Sequence, residues 1–163
     1  MIPYTSNYAG TLLPGIREYT VTPGEKTTTI SGKGKAGLKQ EENYYFFYLP
    51  VCYKGITGKS YAYYNTSRSK NLYLPASVDE NYSYDIQLPE NLTLCTPIQE
   101  KKIDNPIGSF KITLTSEGSS LHIELALQIK KQLITPAEYP AFRSLITEWT
   151  DRTRKPILFK TVQ

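Results

Sequence analysis

Leu133-Ile134-Thr135-Pro136-Ala137-Glu138-Tyr139-Pro140-Ala141-Phe142-Arg143, running on to Trp149, is the one stretch with a helical signature in a sequence that otherwise reads as strands. Thr135 and Glu138 have capping-box spacing, in which a hydroxyl takes an orphan N–H of the first turn and a carboxylate reaches back to the cap N–H. Pro136 falls where the first helical residue would be, and there a missing N–H costs nothing. Tyr139, Phe142, Leu145, Ile146 and Trp149 recur at three- and four-residue steps and make one apolar face. Pro140 interrupts the pattern, because a proline inside a helix removes one hydrogen bond and crowds the preceding turn. Two arrangements satisfy it: a helix from Thr135 with a kink, or a single turn followed by a main helix from Pro140. Either way, a face of large aromatics needs an apolar surface to lie on, and the strands before it supply one.

Those strands are read from alternation. Phe110, Ile112 and Leu114 alternate with Lys111, Thr113 and Thr115, and Leu121 to Ile129 alternates with His122, Glu124, Ala126 and Gln128. With Glu117-Gly118-Ser119-Ser120 between them they form an antiparallel hairpin. Tyr82, Tyr84, Ile86 and Leu88 alternate with polar residues as a further strand with one buried face, and Leu92 to Cys95 adds a short one after a turn. Asn43 to Pro50 is aromatic on both faces, which suits a strand covered on both sides or one meeting a neighbouring domain. Ile16 to Thr22 and Lys26 to Lys35 read as strands around a Pro23-Gly24 turn, with Gly32-Lys33-Gly34-Lys35 as a solvated edge or bulge. Pro156 to Val162 reads as a closing strand, and Tyr53 to Lys70 as a long loop or ragged hairpin. The expected fold is mostly β: an antiparallel β-sandwich, Ig-like or related, with one C-terminal helix followed by a closing strand. Residues 1–15 read as a tail or linker and residues 16–163 as a single domain.

Composition narrows the function classes. With 39% hydrophobic and 21% charged residues, the 163-residue chain is apolar enough to fold and long enough to bury a core. A net charge of +4 is too small to argue for nucleic acid without a concentrated basic patch, and no nucleic-acid partner is expected. No apolar run approaches the length of a membrane span, and Met1-Ile2-Pro3-Tyr4 does not open a signal peptide. Cys52 and Cys95 permit one disulfide without requiring it.

Several constellations invite chemistry and fail on inspection. Cys52 or Cys95, His122 and Asp151 follow the Cys-His-Asp order of papain-type hydrolases. A nucleophilic cysteine wants a helix N-terminus or a histidine beside it, yet neither cysteine opens a helix and His122 belongs to the polar side of its strand. One histidine and two widely separated cysteines do not make a metal site, and no cofactor motif is present. Gly55 to Ser60 echoes the end of a phosphate-binding loop, but Tyr53 stands where its first glycine belongs. Tyr61, Tyr63 and Tyr64 remain as a ligand or interface patch, able to stack on sugar rings or to pack beneath the loop.

Leu74-Pro75-Ala76-Ser77-Val78-Asp79-Glu80-Asn81-Tyr82-Ser83-Tyr84-Asp85-Ile86-Gln87-Leu88-Pro89, the aromatic strand Tyr44 to Pro50, and the closing helix with Phe142 and Trp149 together resemble a known family. It is the C-terminal domain of unknown function that follows a transglutaminase-like core in envelope proteins of Gram-negative bacteria. The resemblance covers roughly Lys26 to Val162. It implies that Cys-His-Asp chemistry belongs to the core, with no catalytic residue carried onto this chain. It further implies a non-catalytic accessory role, a transglutaminase-like core of the same polypeptide as partner, and a periplasmic or envelope location. The alternative expectation is an independent carbohydrate-binding module that holds a glycan on the tyrosine-rich loop.

Overall fold

The computed structural model describes residues 16–25, 28–35, 37–51, 55–56, 64 and 66–161. In chain order the strands are β1 (Ile16–Pro23), β2 (Thr28–Gly34), β3 (Lys39–Glu41), β4 (Tyr44–Phe47), β5 (Leu72–Tyr73), β6 (Val78–Gln87), β7 (Leu92–Leu94), β8 (Gln99–Asn105), β9 (Gly108–Glu117), β10 (Ser120–Ile129) and β11 (Leu133–Ile134). Helix α1 (Tyr139–Arg154) and strand β12 (Ile157–Thr161) follow. The expected class is observed: antiparallel sheets with a helix near the C-terminus and a strand after it.

The larger sheet has the order β6-β10-β9-β8, a Greek-key arrangement in which β10 returns beside β6. Its hairpin is the alternating pair read from the sequence, with Leu125 opposite Ile112 on β9 and Tyr82 on β6. Gly118, at φ +57, takes the turn in the left-handed region where a side chain is disfavoured. Period-2 alternation turns Phe110, Ile112 and Leu114 of β9 and Leu121, Ile123, Leu125, Leu127 and Ile129 of β10 to one face, where each is at most 3% exposed.

Two covers share that face. Helix α1 lies over one half, its Tyr139, Phe142, Leu145, Ile146 and Trp149 packed with Phe110, Ile112, Leu125, Leu127 and Ile129. The smaller sheet, ordered β3-β4-β12-β7, lies over the other half and brings Tyr45, Phe47, Ile157 and Phe159 against Leu114, Leu121 and Ile123. The helix thus sits across one part of one face. The aromatic strand β4 is internal to the smaller sheet, between β3 and β12.

The structure also decides between the two helix starts. A turn spans residues 136–138, and α1 proper begins at Tyr139, with Pro140 in its first turn. Half of the capping box forms: Glu138 Oε2 accepts from the Thr135 N–H at 3.1 Å. The Thr135 hydroxyl departs from the pattern and donates to the same carboxylate at 3.0 Å, and Glu138 itself is the N-cap residue. The Glu138 carboxyl is held down at about 2 by Lys131 first and then by these two Thr135 groups.

Strands β3, β5, β8 and β11 lay outside the sequence reading. Strand β8 has Ile103 as its one apolar residue, so it shows no alternation, and its charged residues suit an exposed sheet edge. The two-residue pair β5–β11 sets Leu133 opposite Tyr73 and Ile134 opposite Leu72. At the other end of the chain β1 and β2 form a ribbon of their own with Val21 opposite Ile30, and the irregularity between Ile16 and Glu18 falls opposite Gly34 and Lys33. The expected tail, residues 1–15, lies outside the described residues.

Candidate functional site

The Cys-His-Asp set is dispersed. Cys95, a half-buried free thiol, lies just past β7 in the smaller sheet, its N–H donating to the Leu158 carbonyl at 2.8 Å. His122 lies on the outer face of the larger sheet, so that sheet stands between the two. Asp151 lies in the last turn of α1 and pairs with Lys155 at 2.8 Å. Cys52 lies outside the described residues. His122 Nδ1 is 2.7 Å from Asp85 Oδ1, and this contact, with Glu124 nearby, raises its pKa above the ordinary histidine value. It is a solvated cross-strand ion pair, worth little to stability at an exposed site. Among the described residues no three His, Cys, Asp or Glu side chains gather as metal ligands, and no helix is long and apolar enough to cross a membrane.

The chemically unusual carboxylate is one that alternation places inward. On β6 the half-buried positions are Val78, Glu80, Tyr82, Tyr84 and Ile86, so Glu80 occupies a core-facing site. Its Oε1 accepts the Ile56 N–H at 2.7 Å and its Oε2 accepts the Tyr82 hydroxyl at 3.2 Å. A Cβ on Gly55 would fall 2.5 Å from Oε2, so the backbone rests directly on the carboxylate. Tyr82 in turn stacks on Tyr84 at 6.2 Å between ring centroids and leans on Trp149 at 5.8 Å. Glu80 therefore ties residues 55–56 to the aromatic core. Burial raises its pKa above 4.5, against the opposing pull of the two hydrogen bonds.

That shift carries a sign. A carboxyl with a raised folded pKa favours the folded state fully below the unfolded value, and the contribution is lost as pH rises through the folded pKa. Glu80→Gln keeps an acceptor and removes the charge. Its stability relative to the native chain is expected to improve as pH rises above 4.5 and then level off. Urea unfolding across pH 4 to 8 measures this, and a constant difference over that range would contradict the assignment.

Tyr64 is half-buried and packs on α1. Its ring meets Phe142 edge-on at 5.5 Å, its carbonyl accepts the Tyr139 hydroxyl at 2.7 Å, and burial raises its pKa. Tyr61 and Tyr63 lie outside the described residues. An open groove of about 430 Å³ runs between α1 and residues 67–68, lined by Arg68, Ile103, Tyr139, Arg143 and Glu148 among others. The Arg68 guanidinium lies 5.6 Å from the Tyr139 ring centre, and Glu148 pairs with Lys101.

Residues 43–159 match the model of a family described as a domain of unknown function with a solved structure, DUF3858. The crystal structure of a candidate protease from Parabacteroides distasonis ATCC 8503 is similar, at 31% identity and a TM-score of 0.64. The similarity covers 75% of this chain and 24% of that one, so the chain spans about a quarter of that protein's length. No curated protein matches the sequence. The family model runs from β4 through α1 into β12, and the chain belongs to the DUF3858 family.

Proposed function

We propose that this chain is a non-catalytic accessory domain of a larger protein, packing against and positioning a transglutaminase-like core with papain-type Cys-His-Asp chemistry. The observation that carries this reading is the coverage: three quarters of the chain aligns with a quarter of a much longer protein described as a candidate protease. The dispersal of Cys95, His122 and Asp151 supports it, since a cysteine nucleophile and its base must lie within hydrogen-bond reach. On this reading the core supplies the reaction, and the domain holds it or walls one side of its cleft. The working location is then the periplasm or envelope.

An immunoblot of source cells with an antibody raised against this chain tests the reading. A band well above 18.5 kDa is expected. A single band at 18.5 kDa overturns it, because the domain would then work alone.

A further inference from the structure

The two sheets treat their outer faces differently. On the larger sheet, His122, Glu124, Ala126 and Gln128 of β10 stand opposite Asp85, Ser83, Asn81 and Asp79 of β6. That is the composition of a face that meets water. On the smaller sheet, Tyr45, Phe47, Ile157 and Phe159 point into the core, so alternation turns Tyr44, Phe46 and Leu158 outward. Tyr48 continues the row just beyond β4. Tyr44 is 44% exposed and Tyr48 48%, and Phe46 and Leu158 pair directly across the strands. Two lysines are set among them: Lys39 stands opposite Phe46 with Nζ 5.5 Å from the Tyr48 ring centre, and Lys160 stands opposite Tyr44.

We propose that this aromatic face is the surface by which the domain docks on the remainder of its own polypeptide, meeting an apolar patch that carries carboxylates opposite Lys39 and Lys160. The inference rests on the reading that the domain is part of a larger protein, and it names the surface used. Two exposed tyrosines flank the half-buried Phe46 and Leu158 on one outer sheet face, a contiguous patch of the kind that marks an interaction site. Tyrosines at its margin fit that use, because one side of the ring is apolar and the hydroxyl keeps a partner. The similar solved protein has three quarters of its length beyond the matched region, which provides a covering body in the same chain. Charge selects the kind of surface. Neither lysine is ion-paired with a described residue, and Glu41, opposite Tyr44, is the face's one carboxylate on these strands. The net positive face opposes a second copy of itself and favours an acidic counterpart.

Tyrosine-selective chemical labelling read by mass spectrometry tests the proposal on this chain alone and on the longer polypeptide purified from source cells. Labelling of Tyr44 and Tyr48 is expected to fall several-fold in the longer polypeptide. Tyr73, 67% exposed on β5, should label equally in both. Lys39→Glu with Lys160→Glu should restore labelling of Tyr44 and Tyr48 in the longer polypeptide while leaving the thermal midpoint of the isolated chain unchanged. Equal labelling of Tyr44 and Tyr48 in both forms overturns the inference and leaves the accessory reading standing. Protection that grows with concentration in the isolated chain also overturns it, since the occupant would be a second copy. If the immunoblot shows only the 18.5 kDa species, the accessory reading and this inference fall together.

Discussion

Trp149→Ala is expected to lower the free energy of unfolding by roughly 3–5 kcal/mol, the range for truncating a large buried aromatic. Trp149 is 1% exposed and stands near the C-terminal end of the α1 stripe. Its ring leans on Tyr82, which carries the hydrogen bond to Glu80, so one side chain joins helix, edge strand and buried carboxylate. The site has little freedom to collapse, because Tyr82 is also stacked on Tyr84, whose hydroxyl is fixed on the Pro50 carbonyl at 2.7 Å. A void would remain, and a void forfeits the contacts that lined it. Trp149 is the one tryptophan, so its removal takes the fluorescence signal with it, and unfolding in urea has to be followed by circular dichroism. A loss under about 1 kcal/mol at unchanged m would show that the helix contributes far less to the body than its packing implies. Thr147→Ala, exposed on the same helix, serves as the control and should stay within about 0.5 kcal/mol of the native chain.

Gly108→Ala is the second large effect, and it comes from backbone rather than core volume. A Cβ there would lie 1.8 Å from the Gln128 carbonyl oxygen and 3.1 Å from the Ile129 Cα. These atoms belong to β10, in register with the start of β9, so no side-chain rotation relieves the overlap. The neighbourhood is also pinned from both sides. Asn105 Oδ1 accepts the N–H groups of Ile107 and Gly108 at 2.9 and 3.3 Å, and its amide donates to the Ala141 carbonyl of α1 at 3.1 Å. The substitution must open the first rungs of β9–β10 or displace that turn. A loss above about 4 kcal/mol is expected, in the class of exceptional point mutations, with the variant recovered partly unfolded at ambient temperature. Gly37→Ala meets nothing within 4 Å and has no left-handed φ, so it should be neutral or gain up to about 1 kcal/mol. Equal melting temperatures for the two variants would refute the close approach at Gly108.

These two positions also show where the sequence is informative. Trp149 is legible as core because its stripe has a helical period and the strands before it alternate; burial of one face is what produces both patterns. Gly108 is not legible, because close approach between two backbones leaves no mark beyond a glycine. Glu80 is half legible: it falls in phase with Tyr82, Tyr84 and Ile86, and that phase places it inward despite its charge. What overrides the charge is a pair of donors, one from a residue 24 positions earlier, and no local pattern encodes it. Strand β8 escaped because an edge strand is selected for exposed charge, which erases the alternation that identifies its neighbours. Pro140 left two helix starts open, and the Thr135–Glu138 turn decided for the later one.

The placement of one cover and the central strand of the other in a single late segment has a consequence for how the domain is made. Helix α1 and strand β12 are separated by two residues, yet one covers half of the large sheet and the other is a central strand of the small sheet. While the chain emerges from the ribosome, β6, β8, β9 and β10 can pair as soon as residue 129 is free, but their apolar face stays bare. Strands β4 and β7 also stay unjoined, because the strand that pairs with both spans residues 157–161. The nascent domain therefore holds a sticky, half-built sheet until its last turn of helix and final strand arrive. It then closes as a unit, which makes the stretch from residue 139 to residue 161 the step at which a chaperone or a neighbouring nascent chain competes with correct folding.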